Sequence, residues 1–165
     1  MARDAMSGIV NLHENECVHR DIKSENFLLD DTWRVVVADY GFARKARNDV
    51  AMTICGTDEF MAPEVIFGEL YDERADVFSF GIFLCELICR KVPGVDQFLH
   101  REPRTKFNLD FDAFRAQCPP DTPQSLIELA VQCCCYEAEY RMTSDVCCIY
   151  FLSEIISTCF FVVFY

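Results

Sequence analysis

The sequence predicts an α+β fold, mainly helical, with one short strand pair. Three observations carry that expectation. Residues 74–90, RADVFSFGIFLCELICR, are apolar on nearly every face, as in a helix at the middle of a domain. Two short apolar runs, NFLL and RVVVA, are separated by Asp30, Asp31, Thr32 and Trp33, which reads as two small strands and a turn. Apolar residues at helical spacing recur towards both ends of the chain.

The elements follow in order. Ala5, Met6, Ile9, Val10 and Leu12 fall at helical spacing and predict a helix over 2–14. The strand pair comes next. Residues 40–60 mix glycine, charge and small polar residues and predict a loop. The central helix spans 74–90. Prolines and charges dominate 92–122, which leaves room for short helices only. Thr122 offers an N-cap, with Pro123 at the first helical position of a helix through about residue 135. Thr143 or Ser144 caps a last helix, to about residue 157. There is no internal repeat or low-complexity segment. Residues 1–157 read as one unit, and 158–165 as an apolar tail without an assigned role.

Bulk composition narrows the function. The 165 residues are 52% hydrophobic, enough for one domain with a real core. A formal charge of -12 lacks the basic footprint of nucleic-acid binding, and that class is set aside. The 11 cysteines include Cys133-Cys134-Cys135 and Cys147-Cys148, a spacing unlike paired zinc knuckles. No apolar leader follows the first charges, so the thiols are expected reduced and mostly buried in a cytoplasmic protein. The C-terminal stretch IYFLSEIISTCFFVVFY is interrupted by Ser153, Glu154 and Ser157 and falls short of about 20 apolar residues, so no membrane span is expected.

The chemistry concentrates in three signals. His19-Arg20-Asp21 is followed by Asn26; Asp39-Tyr40-Gly41 comes directly after a strand; Ala62-Pro63-Glu64 follows later. In this order they resemble the catalytic half of a eukaryotic protein kinase. YDERADVFSFGIFLCELI looks like that family's central helix, with Asp76 bracing the His-Arg-Asp turn. Arg141, in EYRMTSD, matches the arginine that pairs with Glu64. HRDIKSEN, GTDEFMAPEV and DVFSFGIFLCELI are similar to the tyrosine-kinase-like serine/threonine group, and FNLDFDAFR and ELAVQCCCYEAEYR look most like LIM and testis-specific kinases, relatives that can show dual specificity.

The resemblance implies a protein-kinase-like fold and an ATP- and Mg2+-dependent transfer of phosphate to hydroxyls of a protein substrate. Phosphoryl transfer needs positioning and charge neutralisation more than covalent help. Asp21 would orient the acceptor hydroxyl, and Lys23 would offset charge at the γ-phosphate. Asn26 and Asp39 would hold Mg2+ through hard oxygen atoms. Leu28 would lie under the adenine ring. Thr57, in Gly56-Thr57 before MAPE, matches the serine/threonine form of the substrate loop, as does Lys23 two residues after Asp21. Thr53 stands where relatives accept phosphate from an upstream kinase, with Arg20 and Arg44 or Lys45 placed to pair with it. Tyr40 departs from the phenylalanine usual at its position, and its hydroxyl needs a partner if buried.

The matching motifs belong to the C-terminal lobe. The six glycines contain no G-x-G-x-x-G, and none of the four lysines precedes the catalytic loop. The expectation is therefore a kinase domain without its N-terminal lobe. The alternative is a catalytically inactive lobe that binds partners or competes with a complete kinase.

Overall fold

The computed structural model describes residues 1–45 and 55–151. Helix α1 (Ala2–Glu14) buries Ala5, Met6 and Ile9, the inner edge of the stripe read from the sequence. Val10 and Leu12 pack half-buried beside them. Strands β2 (Phe27–Leu29) and β3 (Val35–Val37) form the expected antiparallel ribbon, with Leu28 opposite Val36. Asp30 shapes its turn, accepting hydrogen bonds from Thr32 N–H (2.8 Å) and Arg34 N–H (3.0 Å).

A second ribbon was not expected. β1 (Cys17–Val18) pairs antiparallel with β4 (Arg44–Lys45), inside the stretch read as loop. Two residues per strand are too few to show alternation, and the partners lie far apart in the chain. A short helix, α2 (Pro63–Ile66), begins with Pro63 in its first turn, where a missing N–H costs nothing.

Helix α3 (Arg74–Cys89) is the axis of the domain, and an unbroken run from Ala75 to Cys85 is buried. Its continuous apolar sequence is explained by packing on several sides, above all against α5 (Gln124–Cys133). Gly81 makes the closest approach: a Cβ there would meet Cys134 Sγ at 2.5 Å and Cys133 Cβ at 2.8 Å. Segment 92–122 holds single turns and one short helix, α4 (Phe111–Arg115), capped by Asp110.

Helix α5 starts later than the sequence suggests. Pro123 is its N-cap rather than its first helical residue, because Pro123 keeps an extended ψ of 129° while its carbonyl accepts the first helical bonds. Thr122 is thereby displaced from the cap, and the helix ends at Cys133. Helix α6 begins at residue 144 and is described to residue 151, with the Thr143 carbonyl accepting from Cys147 N–H. The remainder of that helix, the tail 158–165 and Thr53 lie outside the described residues. Among the described residues no helix is long and apolar enough to cross a membrane.

Candidate active site

The loop between β1 and β2 carries Asp21, Lys23 and Asn26. Its geometry is set from beneath by Asp76 near the start of α3. The buried Asp76 carboxylate accepts from His19 N–H (2.7 Å) and Arg20 N–H (2.8 Å), two donors a tight turn would otherwise leave orphaned. Arg20 adopts φ 71°, a left-handed conformation that these bonds support. His13 of α1 completes the brace, with Nε2 3.0 Å from Asp76 Oδ2 and Nδ1 2.8 Å from Ser144 Oγ.

His19 ties this loop to the end of β3. Asp21 N–H donates to His19 Nδ1 (3.3 Å), and His19 Nε2 donates to the Ala38 carbonyl (3.0 Å). Ala38 N–H in turn donates to the Asn26 carbonyl (2.9 Å), which extends the β2–β3 ladder by one bond. Asn26 and Asp39 are thereby fixed at the same end of the ribbon.

Three side chains converge on Asp21. Lys23 Nζ lies 3.0 Å from Asp21 Oδ2 and donates to Thr57 Oγ1 at 2.9 Å. Thr57 Oγ1 donates to Asp21 Oδ1 at 3.0 Å. Asn26 Nδ2 donates to the Asp21 carbonyl (2.7 Å) and to Oδ2 (3.2 Å). Burial pushes the Asp21 carboxyl up, but hydrogen bonds from Lys23 and Thr57, the Lys23 charge and Asn26 outweigh it. The net shift is downward, so Asp21 is a carboxylate at neutral pH. Thr57 is brought to Asp21 by Gly56, whose φ of 112° and close contact with the Arg20 carbonyl admit no side chain.

Asp39 is exposed and left-handed (φ 59°, ψ 73°), and its Oδ1 accepts from Gly41 N–H at 3.2 Å. Asn26 uses its amide nitrogen on Asp21. Among the described residues, Asn26 Oδ1 and Asp39 Oδ2 accept no protein hydrogen bond, which leaves two hard oxygen donors suited to Mg2+. Tyr40 finds its partner: the hydroxyl donates to the Val37 carbonyl (2.8 Å) and the ring lies 5.4 Å from His19. Leu28 and its cross-strand neighbour Val36 are 54% and 50% exposed, an apolar step beside the site.

Arg20 Nε donates to the Phe42 carbonyl (2.6 Å), and its side chain also meets Tyr71. Arg44 and Lys45 are exposed on the same ribbon. Farther off, Glu64 and Arg141 form a buried two-point pair at 2.7 and 3.1 Å. His13, Ser79 and Arg101 also shape the site and had no signal in the sequence. Their partners are a carboxylate and main-chain carbonyls far along the chain.

A loop with this carboxylate, lysine and amide arrangement, followed by an Asp-x-Gly turn after a strand, holds the residue types that phosphoryl transfer calls for. The family model described as the protein kinase domain matches residues 1–156, and the chain belongs to that family. It is 41% identical over 143 residues to a probable serine/threonine-protein kinase of Dictyostelium discoideum, covering 86% of this chain and 33% of the relative. It is 41% identical over 148 residues to RasGEF domain-containing serine/threonine-protein kinase X of the same organism, covering 88% of this chain and 15% of the relative. To dual specificity testis-specific protein kinase 1 of Homo sapiens it is 43% identical over 152 residues, covering 86% of this chain and 24% of the relative. The chain thus spans a third or less of the length of these relatives.

Proposed function

We propose that this chain carries the catalytic and substrate-binding half of an ATP- and Mg2+-dependent serine/threonine protein kinase. The observation that carries the reading is the closed network of Asp21, Lys23, Thr57 and Asn26. Asp21, held ionised, accepts a hydrogen bond from the acceptor hydroxyl of a protein substrate and aims its oxygen for attack. Lys23 places a positive charge beside that carboxylate, where negative charge grows during transfer. Asn26 and Asp39 would hold Mg2+, which when bound would supply neutralisation of the phosphate charge. Leu28, with Val36, supplies an apolar surface for the adenine ring.

Serine or threonine as the acceptor is supported by the resemblance of Gly56-Thr57 before MAPE to the serine/threonine form of the loop, with the Thr57 hydroxyl bonded to Asp21 and Lys23. The names of the relatives support the same class, and one of them is called dual specificity. Membership in the tyrosine-kinase-like group, nearest the LIM and testis-specific kinases, is part of the proposal. So is control by an upstream kinase at Thr53, with Arg20, Arg44 and Lys45 receiving the phosphate. A cytoplasmic setting is likewise part of the proposal.

A second reading rests on the exposed apolar step of Leu28, Val36, Tyr40 and Phe42, a surface on which an inactive lobe would dock a partner. The test is transfer of labelled γ-phosphate to a generic serine/threonine peptide by the native full-length protein, with Mg2+ titrated. Mg2+-dependent labelling is expected. Absence of labelling in the presence of Mg2+ and ATP overturns the kinase reading in favour of docking.

A further inference from the structure

The loop from Thr57 to Met61 presents Thr57 to Asp21 and the exposed side chains of Asp58 and Glu59 to solvent. Its inward hydrogen bonds are its own: Phe60 N–H and Met61 N–H both donate to the Thr57 carbonyl, at 2.9 and 3.1 Å. Its outward carbonyls are taken by two side chains from elsewhere. Ser79 Oγ, on α3, donates to the Phe60 carbonyl at 2.8 Å. Arg101 takes the other three: Nη1 donates to Met61 O (2.7 Å), and Nη2 to Asp58 O (2.6 Å) and Glu59 O (3.1 Å).

The anchor is itself well held. The Arg101 guanidinium carbon sits 5.3 Å from the Phe78 ring centroid, close enough for a cation–π contact. Desolvation lowers its pKa, opposed in part by the nearby Glu59 and Asp58 charges, and the three carbonyls give its N–H groups partners. The segment carrying Arg101 lies tight on the loop: a Cβ at Gly94 would meet Glu59 Cγ at 2.9 Å. Between loop and segment runs a groove of ≈ 510 Å³, lined by Asp58, Glu59, Met61, Leu99, Arg101 and Phe107.

We propose that Arg101 is a positioning residue for protein-substrate binding. It fixes loop 57–61 so that Thr57 meets Asp21 and the loop forms one wall of the groove along which substrate lies. The inference rests on the kinase reading above for its substrate and on the hydrogen bonds alone for its loop. The planar fork of arginine reaches all three carbonyls from two nitrogens; the single Nζ of lysine cannot span them.

Arg101→Met and Arg101→Lys in the native full-length protein test it, by steady-state kinetics and by amide hydrogen exchange. Arg101→Met is expected to raise the peptide KM about tenfold or more and to lower kcat by a smaller factor as Thr57 loosens from Asp21, with the KM for ATP within about twofold. Arg101→Lys falls between Arg101→Met and the wild type. The amides of Phe60 and Met61 should exchange faster in Arg101→Met while those of α3 keep their protection.

An unchanged peptide KM overturns the proposal, whether or not the loop amides change. Lost protection throughout α3 also overturns it, because Arg101 would then support the fold at large. If Arg101→Met does not fold, Arg101→Lys carries the same two readouts. A wild-type protein that transfers no phosphate refutes the kinase reading; unchanged exchange at Phe60 and Met61 refutes the anchoring role independently of it.

Discussion

Arg141→Met should be among the most destabilising single changes in this domain. The arginine side chain is fully buried and the Glu64 carboxylate is 9% exposed. All five guanidinium N–H groups are used: Nε on Cys135 O (2.9 Å), Nη1 on Glu64 Oε1 (2.7 Å) and Arg74 O (2.9 Å), and Nη2 on Glu64 Oε2 and Tyr136 O (both 3.1 Å). Methionine fills much of the volume but leaves a buried carboxylate and three carbonyls without these donors. Breaking one side of a buried pair costs about 3–5 kcal/mol. At about 2–4 °C per kcal/mol, the melting temperature should fall on the order of 10 °C. Arg141→Lys retains the charge but has three donors for five acceptors, so its loss should be about 1–3 kcal/mol. The double change Glu64→Gln with Arg141→Met should cost less than the sum of the single changes, because the stranded charge is gone. The assay is thermal unfolding of the wild type and the four variants, Glu64→Gln included, in one buffer. A loss under about 1 kcal/mol for Arg141→Met, or strict additivity in the double variant, would refute the reasoning.

Two further predictions concern the catalytic loop. Lys23→Met removes the hydrogen bond and charge that hold the Asp21 pKa down, while burial, which raises it, remains. The wild-type carboxylate therefore stays ionised to a pH below its ordinary value, and its stabilising effect is lost only as pH falls through that lowered value. In Lys23→Met the acid limb of the pH–rate profile should move to higher pH and kcat should drop by about 10²-fold; an unmoved limb contradicts the pairing. Asp76→Asn leaves one oxygen to serve His19 N–H, Arg20 N–H and His13. It should orphan one backbone donor at about 1–3 kcal/mol, read as faster amide exchange at His19 and Arg20.

The sequence carried the helices and the grouping of residues around Asp21, for reasons visible in particular residues. Helix α1 was legible because Ala5, Met6 and Ile9 recur on one face, and α3 because its apolar run is long and unbroken. Asp21, Lys23 and Asn26 were legible because they share one short loop. The β1–β4 ribbon was not, since Cys17–Val18 gains strand character only by pairing with Arg44–Lys45. The boundary of α5 slipped because a proline compatible with two positions took the outer one. His13 and Arg101 escaped for a different reason. Their partners are Asp76, 63 residues away, and main-chain carbonyls about 40 residues away, and a carbonyl has no sequence signature.

The account turns on Asp21 as the group that receives the substrate hydroxyl. The measurement that tests it most directly is phosphate transfer by the native full-length protein with Asp21→Asn, beside the wild type, at saturating ATP, Mg2+ and peptide. Asparagine nearly preserves the shape but cannot accept a proton, so kcat should fall by about 10²-fold or more while melting changes little. An Asp21→Asn protein that labels its peptide at the wild-type rate would contradict the assignment.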